Sequence, residues 1–114
     1  MTPQQEIDRR QAWTAALRSG EYQQGRGQLR IDPILEDHET KSEYCCLGVA
    51  CIVAGMAITK GGYSIDIGNG IEAEDSYGDI GSYFGLTLPQ VTELWKANDD
   101  GKTFAQIADM IEAL

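Results

Sequence analysis

The most constraining feature of this sequence is a segment, residues 44–56, that is apolar on almost every side. Its length favours a short buried helix over a strand. The β-branched residues Val49, Ile52 and Val53 leave a strand open as the alternative. A helix without a polar face is stable only where other elements cover it. We therefore expect this segment to lie in the interior, with the rest of the chain packed around it.

The same segment holds the three cysteines of the chain, Cys45, Cys46 and Cys51. Adjacent cysteines are poorly placed for a disulfide, and the third is then an odd thiol. We interpret all three as free, buried thiols of a protein from a reducing compartment. With His38 they could supply zinc ligands or a nucleophile with its base. Their spacing is unlike that of structural zinc sites, however, and His38 lies in an acidic loop, so we predict no metal and no cofactor.

Capping signals place further helices on both sides of this segment. Thr2 with Gln5 and Thr87 with Gln90 have capping-box spacing, and Thr103 precedes another apolar stripe. The stripe of the first helix consists of Ile7, Trp13, Ala16 and Leu17. We expect helices over residues 3–19, 88–98 and 104–114, and a short helical stretch around residues 79–84.

Apolar and polar residues alternate on both sides of a Gly-Asn-Gly turn at residues 68–70. The apolar set is Tyr63, Ile65, Ile67, Ile71 and Ala73. This pattern predicts a β-hairpin with one buried and one solvated face. A two-stranded hairpin is marginal alone, so it must pack on helices or extend a sheet. The expected fold is α+β, a single domain over residues 1–114, in which three to four helices pack with an antiparallel hairpin.

The charge balance excludes several functional classes. Nine basic against eighteen acidic residues give a net charge of −9, which repels nucleic acid and anionic membranes at long range. No apolar run reaches the roughly 20 residues of a membrane-spanning helix. The polar first residues lack the basic start and apolar core of a secretory signal. We therefore predict a cytoplasmic protein that has no membrane partner.

Positive charge collects near the N-terminus, in a stretch that is rich in glycine. Here arginines could clamp phosphates, Tyr22 could stack on a base, and two glycines would let the backbone approach an anion. The alternative is that Arg26 and Arg30 form ion pairs with the acidic half of the protein and that the two glycines only shape a turn. The candidate ligand-binding residues are Arg18, Tyr22, Gly25, Arg26, Gly27 and Arg30.

The C-terminal half, residues 58–114, holds three basic and ten acidic residues, a net charge of −7. Such a surface could dock on a basic host protein, and the other explanation is solubility. The candidate docking residues are Glu72, Glu74, Asp75, Asp79, Asp99 and Asp100.

Three strings together are distinctive: WTAALRSGEYQQGRGQLR at residues 13–30, YCCLGVAC at 44–51 and GKTFAQIADMIE at 101–112. In this order they resemble a family of small uncharacterised proteins encoded by tailed phages and prophages. The resemblance brings no activity with it. It implies an accessory protein that acts in the cytoplasm of a host bacterium, against or alongside host machinery.

These observations predict a non-catalytic binding protein that neutralises a host component. In one version it docks on a host immune protein, such as a CRISPR effector. In the other it holds a phosphate-bearing signal nucleotide at the arginine-rich stretch, in the cleft of a homodimer. One alternative is a DNA-binding regulator, because residues 80–98 have helix-turn-helix spacing, although the second helix offers only one basic residue, Lys96. A cysteine-dependent enzyme is the third hypothesis.

Overall fold

The computed structural model describes residues 2–32, 42–59, 61–68, 71–73 and 75–114. These residues form five helices: α1 (Pro3–Arg18), α2 (Cys46–Ala54), α3 (Ser76–Tyr83), α4 (Leu88–Asp99) and α5 (Phe104–Glu112). They also form five two-residue strands: β1 (Gln23–Gln24), β2 (Arg30–Ile31), β3 (Glu43–Tyr44), β4 (Ala57–Ile58) and β5 (Ile65–Asp66). The predicted α+β class is confirmed, and the predicted number of helices is one too low.

Helix α2 lies at the centre of the core, as its apolar sequence predicts. Residues 46–51 are buried, and the helix contacts α1, α3 and α4. Gly48 lets α2 approach the chain before β2, because a Cβ at this position would collide with the carbonyl oxygen of Leu29. The helical interpretation is thus confirmed, and the strand alternative is wrong. Within the described ranges, no helix combines the length and the apolarity needed to cross a membrane.

Helix α1 packs along α5 and α2. Trp13 is fully buried, and its Nε1 donates a hydrogen bond to the carbonyl oxygen of Cys46 at 3.0 Å. The ring of Trp13 lies 4.6 Å from that of Phe84, so α1 is also fixed against the end of α3. Ile7 is about half exposed, which means that the predicted stripe reaches the core only further along the helix.

The helix starts follow the capping signals. Capping boxes are present at Thr2 and Gln5, at Thr87 and Gln90, and at Thr103 and Gln106. Helix α3 starts earlier than the predicted stretch, because the side chain of Asp75 accepts a hydrogen bond from the backbone of Gly78 at 2.9 Å. Residues 84–87 then connect α3 to α4, which pack closely where Gly81 meets Val91.

Strands β1, β2 and β3 form a small mixed sheet in the order β1-β3-β2. Strand β3 is parallel to β1 and antiparallel to β2. Residues 33–41 lie outside the described residues, and His38 is among them.

The predicted hairpin forms, but most of its apolar face is not buried. Strand β5 pairs antiparallel with β4, and on its other side Asp66 bridges to Glu72. Ile67 N–H donates to the carbonyl of Ile71 at 2.9 Å, and Ala73 N–H donates to that of Ile65 at 2.9 Å. Only Ile65 and Ala73 of the apolar set are buried. The expectation of one buried face is wrong for Tyr63, Ile67 and Ile71, because only Ile65 and Ala73 of this set join the hydrophobic core.

Candidate functional site

Arg18 and Arg30, two residues of the predicted ligand site, are held in ion pairs. Arg18 forms salt bridges with Asp109 and Glu112 of α5, and hydrogen bonds to Glu112 and then Asp109 raise the pKa of its guanidinium. Arg30 Nε lies 2.8 Å from a carboxylate oxygen of Asp32. Both guanidinium groups thus already have an anionic partner within the protein. Arg18 thus pairs with the acidic half of the chain, whereas Arg30, for which such a pair was the alternative, pairs with Asp32 of the N-terminal half instead.

The loop of Gly25, Arg26 and Gly27 is attached to the end of α4. Asn98 Nδ2 donates to the carbonyl oxygen of Gly25 at 2.8 Å, and the backbone N–H of Gly27 donates to Asp99 Oδ1 at 3.0 Å. The backbone amide that could have bound an external anion therefore binds a carboxylate of the protein. Arg26 is exposed, and its guanidinium lies beside Gly101.

Tyr22 is half-buried rather than available to a base. Its ring packs edge-on against Tyr44, with the centroids 5.8 Å apart. The structure places Arg18 against α5, Arg26 beside the turn after α4, and Arg30 next to Asp32 and the carbonyl of Thr59. The candidate ligand-binding arginines thus contact different elements of the fold.

Sequence reasoning missed Asn98, which organises the attachment of this loop. Its Oδ1 accepts hydrogen bonds from the backbone N–H of Cys46 at 3.1 Å and from Gln24 Nε2 at 3.0 Å. The side chain is fully buried. The available signal was its spacing, since Asn98 continues the buried stripe of Val91 and Leu94 with a polar residue. A polar group at such a position must satisfy its hydrogen bonds internally.

The three thiols lie in the hydrophobic core. Cys45, Cys46 and Cys51 are free and buried, as predicted. Burial raises the pKa of Cys45 to about 11 and that of Cys51 to about 12, and it raises the pKa of Cys46 as well. A nucleophilic cysteine needs a thiolate at neutral pH, and these environments favour the protonated thiol. Within the described residues, no group of three or more histidine, cysteine or acidic side chains could hold a metal ion.

The predicted acidic docking residues occupy two separate places with different roles. At the end of α4, Asp99 holds the backbone of Gly27 and Asp100 is the C-cap. Near the hairpin, Asp75 caps α3 and Asp79 lies in its first turn. Glu72 is exposed and faces Asp66 across the hairpin, whereas Glu74 lies outside the described residues.

The hairpin presents apolar side chains to solvent. Ile67 and Ile71 lie opposite each other in the pairing register and are 62% and 58% exposed, and Tyr63, which has the same strand parity, is 62% exposed. The other face carries the directly opposed acids Asp66 and Glu72, an unfavourable pairing of like charges. We call these five residues the hairpin patch. It combines apolar area with negative charge.

Two cavities lie on the described surface. One, of about 230 Å³, adjoins the base of the hairpin and is lined by Tyr63, Ser64, Ala73, Asp75, Ser76 and Tyr77. The other, of about 190 Å³, lies between α1 and α5 and is lined by Ile7, Arg10, Gln11, Thr14, Ile111, Glu112 and Leu114. Both are smaller than the roughly 300 Å³ at which small-molecule pockets usually begin. Their size suits a side chain of a partner better than a nucleotide.

Comparison with protein families matches residues 4–55 to a domain of unknown function, DUF8296. The match spans α1, the small mixed sheet and α2, which is less than half of the chain, and it leaves out the hairpin. Comparisons with curated proteins and with solved structures gave no match. The similarity thus supplies no activity.

Proposed function

We propose that this protein is a non-catalytic interaction module that docks on a basic protein surface through the hairpin patch. The observation that carries the proposal is the exposure of Ile67 and Ile71 at an acidic hairpin tip. Exposed apolar side chains that cluster on one element often mark an interaction site. A partner that contacts both faces of the hairpin would cover the isoleucines with apolar groups and relieve the repulsion between Asp66 and Glu72 with positive charge.

The proposed setting is the bacterial cytoplasm, where the partner is a protein of the host. This part of the proposal rests on the resemblance to small phage and prophage proteins and on the net charge of −9. An acidic protein is attracted to basic partners at long range, and the attraction weakens as salt is added. Neutralisation of a host immune protein is the function that best fits both this setting and a docking surface.

The geometry gives less support to nucleotide binding and to DNA binding. For a nucleotide, Arg18 and Arg30 would first have to leave their carboxylate partners. If the protein bound DNA, α4 would be the recognition helix. Its Gln90 and Thr92 hydrogen-bond to backbone groups of their own helix start, and Lys96 is its one basic residue. Reading bases and phosphates requires donors that are free to reach the groove.

The test is a comparison of protein capture from bacterial lysate by matched variants. Ile67→Thr with Ile71→Thr keeps β-branched residues in the hairpin and removes most of its exposed apolar area. We expect this double variant to lose a basic protein that the unaltered chain retains, with a loss of about tenfold or more. Leu88→Thr is the matched control, because Leu88 is also about half exposed but lies at the start of α4.

The salt dependence of retention and the Arg26→Glu variant test the docking proposal further. Retention should fall when salt is raised from low to physiological strength or above, and Arg26→Glu should leave it unchanged. Retention that is insensitive to the hairpin variant, or that is lost equally with Leu88→Thr, contradicts docking through the hairpin patch. Loss with Arg26→Glu alone would instead support the ligand site on the glycine-rich loop.

A further inference from the structure

We infer that the cavity at the base of the hairpin is a receptor for one arginine side chain of the partner protein. This inference rests on the proposed docking function and deepens it by naming the group that the surface recognises. The cavity shares Tyr63 with the hairpin patch, so a protein seated on the patch would place its side chains at the cavity mouth.

Two aromatic rings of the cavity are each held by a neighbour. The Tyr77 ring stacks on Trp95, with the centroids 6.1 Å apart and the planes inclined by 29°. The hydroxyl of Tyr63 accepts a hydrogen bond from Gln28 Nε2 at 3.0 Å. Aromatic faces attract cations, and a planar guanidinium can also stack on them. Both rings are positioned before binding. The entropy cost of ordering them therefore reduces the affinity for a guanidinium less.

The cavity also contains a carboxylate that can pair with the cation. Asp75 lines it while capping α3 through a single hydrogen bond to Gly78. An ionised carboxylate has further lone pairs, so Asp75 can accept from a guanidinium without giving up the cap. Within the described residues, no basic side chain lines this cavity. The charge and the rings therefore favour the same kind of ligand group.

The size of the cavity favours a side chain, and the groups that line it favour arginine over lysine. About 230 Å³ is too small for most small-molecule ligands but is ample for a guanidinium and its stem. Arginine can bind a carboxylate and stack on an aromatic ring simultaneously, because its charge is spread over a planar group. Lysine presents a compact, strongly hydrated charge and would gain less from the two rings.

The experiment is an NMR titration of the isotope-labelled full chain with the peptide acetyl-Gly-Arg-Gly-amide. The control peptide carries citrulline, which has nearly the shape of arginine without the charge. We expect the arginine peptide to shift the amide signals of Ser64, Asp75 and Tyr77. The citrulline peptide should bind about tenfold more weakly, which corresponds to about 1.4 kcal/mol.

Two pairs of variants make the titration specific. Asp75→Asn keeps a good N-cap and removes the charge, so it should weaken binding about fivefold without changing the melting temperature. Asp79→Asn removes the same charge one turn along α3, outside the cavity lining, and should leave affinity within about twofold. Tyr63→Phe keeps the ring and should bind far better than Tyr63→Ala.

Each contrary result is informative. Absence of shifts, equal binding of the citrulline peptide, or equal losses in Asp75→Asn and Asp79→Asn would overturn the arginine receptor. If the titration fails while the Ile67→Thr and Ile71→Thr double variant still loses its captured protein, the cavity is not the receptor but docking stands. If capture is insensitive to the double variant, docking fails whatever the peptide does.

Discussion

At the residue scale, Asn98 joins segments that are far apart in the chain. Its amide holds the carbonyl of Gly25, the backbone N–H of Cys46 and the side chain of Gln24. No local pattern identifies these partners, which lie 52 to 74 residues away. The sequence predicted the helix on which Asn98 lies, but the three groups that it satisfies depend on the tertiary fold.

Asn98→Ala should lower the free energy of unfolding by about 3 kcal/mol, because it leaves buried backbone groups without partners. Urea denaturation measures the change. Glu93→Ala, an exposed substitution on the same helix, should change it by less than about 0.5 kcal/mol. An Asn98→Ala protein as stable as the control would show that the amide does not organise this junction.

The buried thiols predict a loss of stability at alkaline pH. Burial raises the pKa of Cys45 from 9.0 to about 11, so between these values the unfolded chain loses a proton that the folded chain keeps. Since the folded state then binds more protons, the free energy of unfolding falls as pH rises. Each such thiol contributes about 1.4 kcal/mol per pH unit in this window.

Denaturation of the unaltered chain and of Cys45→Ser at pH 8 to 10.5 checks this dependence. Serine does not ionise in this range and is a good N-cap for α2. The variant should therefore show a shallower fall than the unaltered chain. Parallel pH profiles for the two proteins would be the contrary result.

At the element scale, the sequence predicted the helices well because their signals are local. Capping boxes and the all-apolar segment depend on neighbours within one or two turns. The hairpin pairing was also predictable from alternation, but the burial of its faces was not. Ile65 and Ile67 have the same parity, yet Ile65 is buried and Ile67 is exposed. Which of two residues with the same parity joins the core depends on tertiary packing, and alternation along the chain does not show it.

Close packing between elements predicts which of two glycine substitutions costs more stability. A Cβ at Gly48 would meet the backbone carbonyl of Leu29, whereas a Cβ at Gly81 would meet the side chain of Val91. Backbone yields less readily than a side chain. Gly48→Ala should therefore cost more than the roughly 1–3 kcal/mol expected for Gly81→Ala.

A second substitution separates packing from helix propensity. Val91→Ala should cost less stability in the Gly81→Ala background than in the unaltered chain, because it removes the methyl group that obstructs the new Cβ. Thermal unfolding of the single and double variants measures the coupling. Strict additivity at this pair, or a smaller loss for Gly48→Ala than for Gly81→Ala, would contradict the described contacts.

At the scale of the whole molecule, charge and exposure together define the candidate site. The acidic balance of residues 58–114 is evident from the sequence. What the sequence could not show is that Asp99 is used internally while Glu72 lies on a hairpin with exposed isoleucines. Likewise, from the sequence alone the arginines near the N-terminus look free to bind a ligand. In the fold, Arg18 and Arg30 have carboxylate partners.

Docking through the hairpin patch, as we propose it, requires that a basic protein covers the patch in the cell. Photo-crosslinking in living bacteria tests it most directly, with a photoreactive amino acid placed at position 67 and, separately, at position 88. We predict that position 67 crosslinks to one basic protein and that position 88 does not, although Ile67 and Leu88 are both exposed. Crosslinking from position 88 to the same protein, or none from position 67, would contradict docking through the hairpin patch.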